Sequence, residues 1–321
     1  MYKKKNWFLV LCILALVLTA SRDIANNKNL DDAIERNVFV IAYIDTDLVE
    51  KTNDWFGDSY KPIGYLAKDM EIRTNLLIDY LRCGSTYHGN KYYDCQKNSL
   101  LNYEIYDIVY SEEIPPYGED GNFDYAAVYK DFDLCNLIEL DEIDEIWIWE
   151  SGNGHAPEWI TSRSENSTGN PLSNNMPPFC GKTISILNFN YMRQIDLALH
   201  TYGHRIEGAM QKYRLDNFGY GGYPDSSISD ATSFTARPSP SNNYIGNCGD
   251  IHRPPNVYTT YDLEYIYDSP AFAVSTCDTW TPEGTGIAKI ISCEDWGCYS
   301  GKYYIWWMQH IPEEWWEDLF R

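Results

Sequence analysis

Apolar runs of strand length, alternating with stretches of helical spacing, constrain this chain more than any other feature. The run VFVIAYIDTD, residues 38–47, is nearly continuous in apolar residues and ends in Asp45 and Asp47. A strand buried on both faces reads this way. IGYLAKDMEIRTNLLIDYLRCG (63–84) carries apolar residues at helical intervals and stops at Gly84. YEIYDIVYS (103–111) alternates like a strand, and DYAAVYKDFDLCNLIEL (124–140) reads as a helix. DEIWIWESG (144–152) is a strand running into a glycine-rich loop, KTISILNFNY (182–191) a further strand, and a helix follows over about 193–213. This order predicts an α/β fold: a mostly parallel sheet flanked by helices.

The pattern weakens after residue 216. FGYGGYPDSSISDATSFTARPSPSNNYIGNCGD is rich in Gly, Pro, Ser and Asn, and the last hundred residues carry four cysteines. Residues 22–216 are therefore expected to form the α/β core. Residues 217–321 are expected to be an irregular, disulfide-stapled segment packed on it. The closing YYIWWMQHIPEEWWEDLFR reads as a short aromatic helix that covers the core.

Residues 1–21 have the features of a secretory signal: Lys3, Lys4 and Lys5, the short apolar run WFLVLCILALVL, then Thr19-Ala20-Ser21. The run is shorter than the roughly 18–20 apolar residues of a membrane span. A signal-anchored form is the alternative. Without Cys12 of the signal, eight cysteines remain: Cys83, Cys95, Cys135, Cys180, Cys248, Cys277, Cys293 and Cys298. An even number in a secreted chain predicts disulfides. Locality favours Cys83–Cys95 and Cys293–Cys298. No C-x-x-C spacing suggests a thiolate metal site. Asn166 opens an N-x-S/T glycosylation sequon. A formal net charge of −22 argues against nucleic acid and acidic membrane surfaces as partners.

The chemistry-bearing stretch is ALHTYGHRIEGAM, residues 198–210. At about 100° per residue, Ile195, Leu199, Tyr202, Ile206 and Met210 share one face. His200, His204 and Glu207 fall on a second face, at the i, i+4, i+7 spacing by which a helix offers two imidazoles to zinc or another divalent metal. Gly203 lies between the faces and leaves room for close approach. The other reading is a solvated helix face. Thr201 stands where the H-E-x-x-H motif has its glutamate base, so a base must come from elsewhere. His252, in CGDIHRPPN, sits on a stiff loop, as a further ligand or as a turn residue. Glu150 and Glu158 also suit a pair of glycosidase carboxylates.

Two resemblances follow from these residues. HAPEWIT, after an IWI strand, is similar over about fifteen residues to the zinc-binding H-x-x-E-W-I-T of metallocarboxypeptidases. That resemblance implies His155 and Glu158 as metal ligands. The family's downstream arginine and asparagine cluster is absent, and the later histidines are spaced differently. More extensively, DEIWIWESG, NFNYMRQIDLALHTYGHRIEGAM, CGDIHRPPN, YDSPAFAVSTCDTW, SCEDWG and WWMQHIP occur in this order over residues 140–316. They resemble a family of secreted proteins with D-E-V-W, F-N-Y-x-R, G-H-R-x-E and C-G-N-x-H-x-x-P-N motifs. In that family an acidic residue can stand at the position of His200, which shifts weight to Gly203, His204, Arg205 and Glu207. The resemblance implies no activity.

Two classes of function remain open. One is a secreted hydrolase, metal-assisted, acting on extracellular peptide or glycan, with Glu207, Glu158 or Glu150 as the catalytic carboxylate. The other is a non-catalytic secreted or cell-surface binding protein that uses aromatic contacts. No phosphate loop, nucleophile elbow or dinucleotide fingerprint points to other chemistry.

Overall fold

The computed structural model describes residues 33–44, 63–86, 99–151, 156–162, 175–218, 234–235, 247–257, 266–281 and 286–320. Asp45, Asp47, Cys95, His155, Asn166 and the signal segment lie outside them. A five-stranded sheet forms the centre, in the order β2-β1-β3-β5-β4. Its strands are β1 (Ile34–Tyr43), β2 (Leu101–Ser111), β3 (Glu145–Glu150), β4 (Trp159–Thr161) and β5 (Ser185–Asn190). β2, β1, β3 and β5 run parallel, and β4 pairs antiparallel with β5 at the edge. The chain leaves β1 for β2 on one side and returns to β3 on the other. This is the switch in direction of a doubly wound sheet.

Helices cover both faces, as the α/β expectation required. The period-2 alternation of the strands sends Val38, Val40, Ala42, Trp147, Trp149, Leu187 and Phe189 to one face. There they meet α1 (Ile63–Gly84) and α4 (Asp196–Phe218). Phe39, Ile41, Tyr43, Ile146, Ile148 and Ile186 point to the other face, against α2 (Tyr125–Asp131) and α3 (Leu134–Glu139). The sequence reads α2 and α3 as one helix. Asp133 interrupts it by adopting φ 51°, a left-handed conformation that Asp tolerates better than most residues.

The segment after residue 216 holds more regular structure than expected. It includes a two-stranded ribbon, β6 (Ala273–Ser275) with β7 (Lys289–Ile291), then α5 (Ser300–Met308) and α6 (Glu313–Asp318). Pro312 divides the closing aromatic stretch into these two helices. As expected, they pack down: Trp306, Trp307, Trp315 and Trp316 are buried in the cluster that holds α4 against the sheet.

Three disulfides join Cys135–Cys180, Cys248–Cys277 and Cys293–Cys298. Cys83 is also disulfide-bonded. The stapling is thus not confined to the C-terminal segment: Cys135–Cys180 fastens α3 to the approach to β5. Among the described residues no helix is long and apolar enough to cross a membrane.

Candidate metal centre

Helix α4 carries the centre. Asn190 accepts the Met192 N–H in a turn at the end of β5, and Asp196 sits in the helix's first turn, where a carboxylate suits the dipole. Leu199, Tyr202, Ile206 and Met210 are fully buried against the sheet and Ile195 partly so, as the face arithmetic predicts.

The second face is largely covered. His200 and Glu207 are buried and His204 is half-buried, because the 247–257 loop and α5 lie over this side of the helix. Arg205 is buried as well, on the side toward β3 and Phe320. Polar groups inside must then be paired. Arg205 forms an ion pair of 2.6 Å with Glu145 at the start of β3, and Trp147 Nε1 donates to the other Glu145 oxygen at 3.1 Å.

Two glycines let neighbours approach α4 closely. A methyl at Gly203 would fall 2.2 Å from Ile251 Cδ1, and one at Gly208 would fall 2.3 Å from the Trp159 ring. The room expected at Gly203 is therefore occupied by the protein itself. The consequence is local: Ile251 precedes His252, and Trp159 follows Glu158. The helix brings His200 and His204, the loop brings His252, and the residue that opens β4 brings Glu158. Asn188 fixes this last element: its N–H donates to the Glu158 carbonyl at 3.0 Å, and its side chain donates to the Pro157 carbonyl at 2.6 Å.

His200, His204 and His252 each offer a ring nitrogen within 4.8 Å of the other two, and the cluster could hold a metal ion. His204 Nε2 is 3.0 Å from His200 Nε2 and 3.1 Å from His252 Nε2. Glu158 Oε2 lies 3.4 Å from His204 Nε2 and 3.9 Å from His200 Nε2, and its side chain is 46% exposed. A tetrahedral zinc ion, with Zn–N near 2.0–2.1 Å, spaces its ligand nitrogens about 3.3 Å apart.

Hydrogen-bond direction fixes two tautomers. The Glu207 carboxylate can only accept: it takes the Ile251 N–H at 3.1 Å and His204 Nδ1–H at 3.1 Å. On the other side, Tyr267 donates to the Ile251 carbonyl at 2.9 Å and Tyr304 donates to Tyr267 at 2.9 Å. The Tyr304 oxygen is left to accept from His200 Nδ1, 3.3 Å away. Both imidazoles therefore present Nε2 lone pairs to each other. Two lone pairs at 3.0 Å repel, so either a metal ion or a proton on one of the rings lies between them.

Burial and charge act oppositely on the two rings. Burial, followed by the neighbouring His204 and His252, depresses the His200 pKa to about 2, so this ring is neutral. Burial also works against a charge on His204. The hydrogen bond to Glu207 and the charges of Glu207, Glu158 and Asp250 outweigh it and raise the His204 pKa above its ordinary value.

Among the expected residues, His200, His204, His252, Glu158 and Glu207 are thus brought together. Glu207 stands behind His204 instead of among the converging nitrogens, because both its oxygens are engaged there. Glu150 is buried at the end of β3, on the strand face that carries Ile146 and Ile148, and its charge raises the Tyr125 pKa after burial has done so. Tyr267, Tyr304 and Ile251 have no signature in the sequence: their roles depend on chain separations of up to 104 residues. Compared with protein-family models, curated proteins and solved structures, the chain matches none. Geometry alone carries the functional argument.

Proposed function

We propose that this chain is a secreted metal-dependent hydrolase, acting on peptide or glycan, with zinc or a similar divalent ion held by His200, His204 and His252. The observation that carries the reading is the convergence of three ring nitrogens, with His204 and His200 each held from behind by a hydrogen bond at Nδ1. Such backing partners orient histidine ligands in metal sites generally. Three neutral imidazoles are the ligand set of catalytic zinc sites. A divalent ion held by them would supply Lewis acidity and activate water near neutral pH.

Glu158 is the base on this reading. Among the described residues it is the one carboxylate that is both close to the imidazoles and open to solvent. A carboxylate there accepts the water proton and returns it to the leaving group. The missing glutamate of H-E-x-x-H is thereby supplied by the residue before β4 instead of by the helix.

The test is elemental analysis of the purified chain with hydrolysis assays on peptide and glycan panels. One divalent ion per chain is expected, lost in His204→Ala and in His252→Ala. Glu158→Gln should keep the ion and lose turnover. A chain that takes up no divalent ion refutes the metal centre. One that binds the ion but cleaves nothing on either panel is a binding protein with a structural metal.

A further inference from the structure

We infer that Ile251, seated against Gly203, is the positioning residue that aligns all three imidazoles. This rests on the metal-centre reading above. Its support is a convergence of contacts on one residue. The Ile251 N–H feeds Glu207, which orients His204. The Ile251 carbonyl ends the Tyr267–Tyr304 chain that orients His200. The next residue is His252, whose own N–H is held by Asp250 at 2.9 Å. One loop residue thus reaches both helix ligands, one through its N–H and the other through its C=O, and the third ligand through the chain.

The fit of the Ile251 side chain against Gly203 sets how closely that backbone can approach α4. The side chain is fully buried, and it enters the notch at Gly203, where an added Cβ would lie 2.2 Å from Cδ1 and 2.6 Å from Cγ1. Distances under 3 Å force one partner to move. α4 is held on its other face by the sheet, so the loop is the part that shifts. A shift of the loop lengthens the hydrogen bonds to Glu207 and Tyr267 together and carries His252 with it. Alanine is the better helix former at position 203 on propensity alone. Glycine there is a requirement of the loop, not of the helix.

The experiment is titration of metal-free protein with Co²⁺, followed by its visible absorption bands, with circular dichroism to verify folding. Gly203→Ala should weaken Co²⁺ binding about 10–100-fold, the usual cost of losing orienting partners. The double variant Gly203→Ala/Ile251→Ala keeps the backbone of residue 251 and removes the clash. It should recover to within about threefold of the original affinity, a rescue that general destabilisation does not give. Should Gly203→Ala fail to fold, Tyr267→Phe tests the same claim without added volume. It removes only the hydroxyl on the Ile251 carbonyl and should weaken binding about tenfold. Unchanged affinity in a folded Gly203→Ala or in Tyr267→Phe overturns the inference, as does a folded double variant that does not recover. Those outcomes leave the metal centre itself standing. Failure of the unaltered protein to bind Co²⁺ would instead refute the metal centre.

Discussion

The Arg205–Glu145 pair allows a quantitative test of how α4 is fastened beneath its histidines. Both groups are almost fully buried and 2.6 Å apart. With an effective dielectric of about 20, unit charges at that distance attract by about 6 kcal/mol. Desolvating the two ions offsets much of this, so the pair as a whole contributes little net stability. Removing one partner is different, because the other charge stays buried without its counterion. Arg205→Met and Glu145→Gln should each cost about 3–5 kcal/mol. Arg205 also lies 4.3 Å over the Phe320 ring, and Met keeps the stem of that contact but not the cation. The double variant leaves no uncompensated charge. Its cost should fall short of the sum of the singles by about 2–3 kcal/mol, the upper range for coupled neighbours. Urea unfolding of the four proteins, read by far-ultraviolet circular dichroism and tryptophan fluorescence, measures the cycle. Singles that each cost under about 1 kcal/mol, or strictly additive effects, would refute the claim that this ion pair is desolvated and coupled.

Three further outcomes are expected. Leu199→Ala should cost about 2–5 kcal/mol in the same assay, since Leu199 is fully buried between α4 and the sheet; a cost near zero would contradict that packing. Metal affinity should fall as pH drops through the raised His204 pKa, because His204 must release its proton to bind while His200 is already neutral. In the metal-free protein the sign reverses: the raised His204 pKa stabilises the fold below about 6.5, the unperturbed histidine value, and that contribution is lost as pH rises through the folded value. Calorimetric titration across pH 6–8 in buffers of differing ionisation enthalpy checks this, and pH-independent binding would contradict it. Thiol titration of denatured, unreduced protein should find Cys135, Cys180, Cys248, Cys277, Cys293, Cys298 and Cys83 unreactive; reactive thiols among them would overturn the oxidised framework.

What the sequence discloses depends on how local the cause is. The parallel strands and α4 are legible because burial imposes a period that survives in one dimension. The three-residue β4 is not, since no period can be read over Trp159–Thr161 and its place is set by pairing with β5. The break at Asp133 is also hidden, because neighbouring residues all suit a helix. At the centre, the spacing of His200, His204 and Glu207 is visible, and so is the stiffness of the loop around His252. What covers that helix face is not, because His252 and Tyr304 arrive from 48 and 104 residues away. For the same reason Glu207 reads as a ligand: spacing places it beside the histidines, and only the position of the Ile251 N–H shows that its oxygens are turned elsewhere.

The late helices have a consequence for how the chain reaches this state. Gln309 donates to the Cys83 carbonyl across 226 positions, and Arg36 donates to the Phe320 carbonyl across 284. The buried tryptophans of α5 and α6 belong to the cluster that closes over α1 and α4. A growing polypeptide therefore leaves the outer sides of α1 and α4 uncovered until residues 300–320 have left the ribosome. Contacts between such distant positions also form slowly, because long loops must close first.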